Sequence, residues 1–436
     1  MIYRTIFCLL IMTNLILAQG LFENTLQDEQ SSEPSGLNYE LNGYIRGGAF
    51  TGPVAGDRCY ESKSVYGESA LKLRVRKGHA GNAFAEIRLR RDANNEQCGN
   101  TAELREGYVN AYMGPFDVRI GQQIVVWGKA DGYNPTNTIT PLDLLVFSPD
   151  EDDRRNSNFV IRSFWNGRNI SLETIWIPVY EPSVLPFSRV KLDNGLQLGD
   201  AVYPDHSLKN NGGAIKLHYD GASIDGSISY FKGYFPMPGI SAAKNDNKTN
   251  TIYPEAYRTE VIGADFSTTC GKYGLRGEFA LKNPDKKETY WQSIPNKQFE
   301  YIFGIDRDYG HFSLIVQYIG KHVFDYDESD DSDASDIQKK VRLWNRMISM
   351  QLKERCHSLS FRPAWTLLHE TLNVEILGQV CFKTREKYFK PKVTYDLTDD
   401  LHIGIGAQWY SGPEETLYGQ IDDSINACFI ELKTTF

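Results

Sequence analysis

Residues Arg119–Asp131 read RIGQQIVVWGKAD, and an extended chain sorts them onto two unlike faces. Successive side chains of a strand point to opposite sides. Ile120, Ile124 and Val126, with Val118 before them, therefore share one face, while Arg119, Gln123 and Trp127 share the other. The stretch then runs into the acidic segment 129–157. An apolar outside with an arginine inside suits a strand that meets lipid on one face and water on the other, as in a transmembrane barrel.

The same alternation recurs along most of the chain. In 37–50, Tyr39, Leu41 and Ile45 oppose Glu40, Asn42 and Arg46; further on, Leu71, Leu73 and Val75 oppose Lys72, Arg74 and Arg76. Ala85, Ile87 and Leu89 oppose Glu86, Arg88 and Arg90, and near the end Leu401, Ile403, Ile405, Ala407 and Trp409 oppose His402, Gly404, Gly406 and Gln408. Short turns (77–82, 114–117, 166–169, 220–223, 397–400) alternate with long polar loops (51–67, 129–157, 181–212, 236–258, 324–340). An up-and-down barrel sorts its connections in this way, short toward the periplasm and long toward the outside. In 337–349, Ile337, Val341, Trp344 and Ile348 recur at three- and four-residue spacing, so this piece reads as a helix. Setting it aside leaves an antiparallel all-β barrel of about 18 strands, within 16 to 18.

Residues 1–20 (MIYRTIFCLLIMTNLILAQG) carry an early basic residue, an apolar middle and small residues before a cleavage point, as a signal peptide does. The polar stretch 21–36 reads as a flexible periplasmic leader, which leaves 37–436 for the barrel and its extracellular loops. The mean hydropathy of −0.43 is what alternation averages to, and does not argue against a membrane barrel. A net charge of −9 argues against nucleic acid as a partner. The cysteines form no CxxC pair that would suggest a metal cluster. Cys59 and Cys98, in the first two outward loops, are the candidate disulfide; Cys356 and Cys381 are a second pair in poorer register, and Cys428 falls on the lipid face.

Taking the polar faces of the first five strands as the lumen sets Arg46, Lys72, Arg74, Arg76, Arg88, Arg90 and Arg119 against Glu40 and Glu86. One wall is then strongly basic. The loop 129–157 offers Asp131, Asp143, Asp150, Glu151, Asp152 and Asp153, beside Arg154 and Arg155. Folded inward, it would place acids opposite arginines at a narrow point that selects solutes by size and charge. The competing reading is that these charges pair across strands as ordinary barrel lining.

Residues 119–145 (RIGQQIVVWGKADGYNPTNTITPLDLL) resemble a segment of the outer-membrane porin-like barrels related to alginate-export proteins. ETIWIPVYEPSVLP (173–186), SYFKGYFP (229–236), VIGADF (261–266), QYIGKHV (317–323) and 390–412 carry further echoes. The resemblance implies an 18-stranded passive channel for polar or anionic solutes, acidic saccharides among them. It marks Arg119, Gln123, Trp127, Asn134 and Asp143 as the matching positions. The cysteines and the aspartate-rich loop depart from that pattern.

Catalytic motifs are missing from the linear sequence: there is no GxSxG, and His369-Glu370 is not followed by a second metal-binding histidine. His218 and His402 stand alone on lumen faces. The loop 325–336 (DYDESDDSDASD) is rich in carboxylates, but Asp330 stands where a calcium-binding EF-hand loop needs glycine. No cofactor is expected. Expected partners are membrane lipid, lipopolysaccharide, a small polar or anionic solute, and the barrel-assembly machinery, to which the terminal aromatic of IELKTTF, Phe436, would be the signal. A barrel enzyme or a surface binder that uses the long loops stands as the alternative.

Overall fold

The computed structural model describes residues 37–54, 59–94, 100–186, 196–244, 250–285, 293–328 and 336–436. The signal segment, the leader, Cys98 with its proposed disulfide, and most of the aspartate-rich loop lie outside these residues.

In chain order the strands are β1 (Leu37–Pro53), β2 (Tyr60–Lys77), β3 (Gly81–Asp92), β4 (Asn100–Met113), β5 (Phe116–Gln123), β6 (Asn158–Asn166), β7 (Ile170–Ile177), β8 (Leu196–Leu198), β9 (Gly212–Asp220), β10 (Ile224–Tyr234) and β11 (Gly239–Lys244). They continue as β12 (Asn250–Glu255), β13 (Arg258–Cys270), β14 (Tyr273–Pro284), β15 (Gln298–Tyr309), β16 (Phe312–Val323), β17 (Arg355–Leu367), β18 (Leu372–Cys381), β19 (Lys387–Asp396), β20 (Leu401–Ser411) and β21 (Ala427–Thr435). Eighteen of them form one closed antiparallel barrel, sealed where β1 pairs with β21. At the seam Gly43 and Phe436 exchange backbone hydrogen bonds of 2.9 and 3.1 Å. Closure satisfies every edge, which is the condition for a sheet to stand in hydrocarbon.

The outer surface follows the alternation. Ile45, Leu71, Ile87, Leu89, Val109 and Ile120 are exposed, while Tyr44, Arg46, Glu68 and Glu86 are buried inside. Aromatic side chains gather on the outside near both ends. Tyr112, Phe116, Trp165, Tyr219 and Tyr309 are exposed toward the short turns, and Phe159, Trp176, Phe389 and Trp409 toward the long loops. Such girdles mark the two interfaces of a bilayer.

The remaining strands, β8, β11 and β12, form a small sheet in the long loops. Helix α1 (Asp336–Ile348) packs on it through Val341, which joins Ile240 and Ile252 in an apolar cluster, and Asn345 bonds both the N–H and the C=O of Ile240 at 2.7 Å. A second helix, α2 (Leu417–Ile425), lies in the last loop, capped by the Thr416 hydroxyl.

The sorting of loops by length fails at two outward connections: the expected long loop 51–67 is mostly strand, with only residues 54–59 left between β1 and β2, and the connection after β18 is short as well. β18 and β19 pair up to Val380 and Lys387, and the chain turns tightly between them, with Arg385 at φ 61° and its N–H bonded to the Cys381 carbonyl at 3.0 Å. The opening stretch also differs from a plain strand. β5 stops at Gln123, and the chain then turns into the barrel. Gln123 and Trp127, expected to face water, are buried at 1% and 4% exposure because the inturned loop covers them.

Candidate functional site: the inner loop and its two walls

The segment 124–157 crosses the barrel interior and is fastened on opposite sides. Its first part packs on one wall. Val125, Trp127 and Ile139 join Val160, Ile175, Phe231, Val261 and Ala280 in a buried apolar cluster drawn from β6 to β14. The Trp127 indole N–H donates to Glu173 at 3.2 Å, and the Gln123 amide donates to the Val160 carbonyl at 2.9 Å. These two residues of the opening motif therefore position the loop instead of lining the water path.

Glu278 on β14 is the main anchor of this half. It is fully buried, and it accepts from the N–H groups of Lys129 and Ala130 (3.2 Å each) and of Thr136 (2.8 Å), from the Thr136 hydroxyl (2.8 Å) and from Asn134 Nδ2 (3.2 Å). A buried carboxylate is tolerated only when hydrogen bonds replace its hydration. Gly128 makes room for it. At φ +108° a side chain is strained, and a Cβ there would lie 2.5 Å from a Glu278 oxygen. Beside this cradle, Tyr133 donates to Glu300 (2.7 Å), Lys129 Nζ to Asp225 (2.7 Å), and Asp131 pairs with Arg362 (2.6 Å). The Gln317 side-chain amide bonds the Asp131 backbone at 2.7 and 2.8 Å.

The second half of the loop reaches the other side. Phe147 packs among Phe50, Tyr66 and Phe429, across the seam of β1, β2 and β21. Asp153 bonds Arg46 at 2.8 Å and Arg88 at 2.9 Å, and it also accepts from Ser148. Arg90 donates to the Phe147 carbonyl (2.8 Å) and Arg105 to the Asp152 carbonyl (2.7 Å). Asp150 pairs with Lys392 (2.7 Å) and Glu151 with Lys390 (3.7 Å) on β19. Asp143 caps its own turn through the Leu145 N–H (2.8 Å), and its residue forms a parallel bridge with Val184 of the next long loop.

Three carboxyl groups of the loop have pKa values held below the usual carboxylate range. Burial would raise them, but Arg46, Ser148 and Arg88 hold Asp153 far below the usual range. Lys392 does the same for Asp150, and Lys390 with Arg154 for Glu151. Asp131 goes the other way, raised by burial against the opposing pull of Arg362.

The basic wall expected from the first five strands is largely neutralised. Arg46 pairs with Glu68 (2.6 Å), Arg88 with Glu86 (2.7 Å), and Arg90 with Glu68 (3.2 Å), and Lys72 stands 3.7 Å from Glu86. Glu68, Asp92 and Glu431 share that inner face, and reading the second strand only from Leu71 onward leaves the first of them out. Arg74 and Arg76 keep the loosest pairings, 4.0 and 3.9 Å from Glu40, and stay half exposed near the short-turn end. Arg119 bonds Asn110 (2.6 Å) and lies over the Tyr108 ring. Glu278, Arg362, Lys390 and Lys392 carry the loop but are missed when alternation is applied only to the first five strands, and Arg105 on β4 sits at a register shift that breaks the simple alternation. Extending the same in-and-out count to KPKVTYD (390–396) picks out the two lysines.

His218 and His402, expected alone, have carboxylate neighbours. His402 bonds Asp396 at 2.7 Å, and His218 lies 2.8 Å from Asp220 and 3.1 Å from Asp225. Among the described residues this last trio is the one grouping that could hold a metal, though Lys129 already occupies Asp225. Cys381 stands opposite Ser358, which leaves Cys356 as its diagonal neighbour, and both are free thiols.

Residues 34–149 match a family model described as "Protein of unknown function (DUF1302)". No curated protein matches the sequence. Among solved structures, a BenF-like porin from Pseudomonas fluorescens Pf-5 superposes with a TM-score of 0.57 at 9% identity, covering 92% of this chain and 98% of that one. The chain shares the fold of a porin barrel. OccAB4 from Acinetobacter baumannii gives 0.56 at 9% identity, covering 92% and 99%, and Pseudomonas aeruginosa OpdK with vanillate gives 0.55 at 7%, covering 92% and 98%. None of these descriptions names alginate export.

Proposed function

We propose that the chain is an outer-membrane channel for passive diffusion of small polar solutes, anions among them. The observation that carries this reading is the inner loop. It crosses a closed barrel with an apolar outside and is bolted to both walls, which narrows the lumen at a point lined by fixed charges of both signs. The girdles of exposed aromatic side chains support a membrane setting. The aromatic carboxylate vanillate held by OpdK supports an organic anion as one kind of solute. Because Asp153, Glu68 and Glu86 offset most of the arginines, selectivity for anions is expected to be modest and to come mainly from Arg74, Arg76 and Arg119.

Purified protein in planar lipid bilayers tests the proposal. Discrete conductance steps are expected, with a reversal potential under a salt gradient that shifts toward cations when Arg74, Arg76 and Arg119 become Ala. A membrane that stays silent after verified insertion refutes the channel. An unmoved reversal potential refutes the role of the three arginines.

A further inference from the structure

Four cations surround one aromatic ring on the wall of β1. Arg46, Lys72, Arg88 and Lys433 lie 5.2, 5.8, 5.8 and 4.9 Å from the centre of the Tyr44 ring. The same side chains line a cavity of ≈ 460 Å³ that reaches the short-turn end, where Asp400 and Phe436 border it. A cavity of this size admits a small organic ion.

The acids around these cations differ in kind. Glu68, Glu86 and Glu431 belong to strands of the barrel and pair with them from within the wall, at 2.6, 2.7 and 3.5 Å. Asp153 belongs to the inner loop, and its carboxylate spans Arg46 and Arg88 at 2.8 and 2.9 Å. It is the member of this set that can withdraw without unpairing a strand.

We propose that the cluster around Tyr44 is a binding site for a small carboxylate or similar oxyanion, and that this ligand binds by taking the place of Asp153. A second anion beside Asp153 would meet like charge in a partly dry site, whereas an exchange keeps both guanidinium groups partnered by one carboxylate, with Lys72 and Lys433 left to face any further charge of the ligand. The displaced loop is still held on β19 by Asp150 and on β14 by Glu278, so only its Asp153 end moves off the wall. The inference rests on the channel reading for how the ligand arrives, but not for whether it binds. A tethered carboxylate competes at an effective concentration in the millimolar range, so affinity is weak while Asp153 is present.

Isothermal titration of the detergent-solubilised full chain with sodium succinate, at constant ionic strength, tests the site. Asp153→Asn should bind succinate about ten-fold more tightly than wild type or better, because the tethered competitor is gone. Asp150→Asn, which loosens the same loop at its separate anchor on β19, should change the affinity by less than about two-fold. Adding Lys72→Gln and Lys433→Gln to Asp153→Asn, which keeps Arg46 and Arg88, should weaken succinate binding by about ten-fold or more, with circular dichroism confirming that each variant keeps its strands. Equal affinity in wild type and Asp153→Asn, equal tightening in Asp150→Asn, or no binding to either protein overturns the proposal. Succinate binding without conductance steps would refute the channel and leave the site standing. Conductance without tighter binding in Asp153→Asn would refute the site alone.

Discussion

Gly128 shows how much of the inner loop hangs on a single position. It follows Trp127 in the VWG of the opening stretch and sits at φ +108° against both Glu278 oxygens. Gly128→Ala should force the cradle apart and cost on the order of 2 to 3 kcal/mol, from strain and from charge-assisted hydrogen bonds lost at a buried carboxylate. The expected readout is a lower Tm in detergent together with larger and noisier conductance steps; unaltered current noise would show that Glu278 does not hold the loop. Acid should release the loop in order. Asp131, raised by burial, loses its charge first on the way down in pH. Asp153, Asp150 and Glu151 are depressed, so the stability they contribute is present above the ordinary carboxylate range of about 4 and disappears only as pH falls through their lower folded values. Conductance should therefore respond first to Asp131 and make its main rise, from release of the Asp153 end, only below about 4. A main rise already complete above that range would contradict this order.

Among the elements, the small sheet of β8, β11 and β12 with α1 forms a compact unit over the long-loop end. Its Asn345 is buried and bonds both backbone groups of Ile240. Asn345→Ala should leave those groups unpaired, at about 1 to 3 kcal/mol, and speed proteolysis within 239–255 while the barrel stays resistant. Equal cleavage rates in variant and parent would show that α1 is held by its apolar face alone. This helix was legible from the sequence, because Ile337, Val341, Trp344 and Ile348 share one side of it. The exceptional short connection after β18 was not, because strand pairing and the left-handed Arg385 set it more than any turn residue. The end of β5 was likewise hidden, since Ile124, Val125 and Val126 keep good strand composition after the ladder has stopped.

Taken as a whole, the molecule depends on its seam. Phe436 closes the ring against Gly43, where a Cβ would lie 2.5 Å from the Phe436 ring. Gly43→Val should therefore slow closure of the barrel, with folding into lipid vesicles, followed by protease protection, as the measurement. Unimpaired folding would show that the seam tolerates displacement of the terminal aromatic. The antiparallel barrel class, a count of about 18 strands within 16 to 18, the inward and outward parity of the strands that alternate cleanly and the helix in the acidic loop were legible in the sequence alone, because period two and period 3.6 are local properties of a chain. The partners of the inner charges were decided only by the tertiary structure. Parity places Arg46, Arg88 and Lys392 in the lumen, but the loop path alone sets Asp153 against the first two and Asp150 against the third. The same path turned Gln123 and Trp127 from lining residues into buried supports. A loop that crosses a barrel meets residues hundreds of positions away, and no spacing along the chain records that encounter.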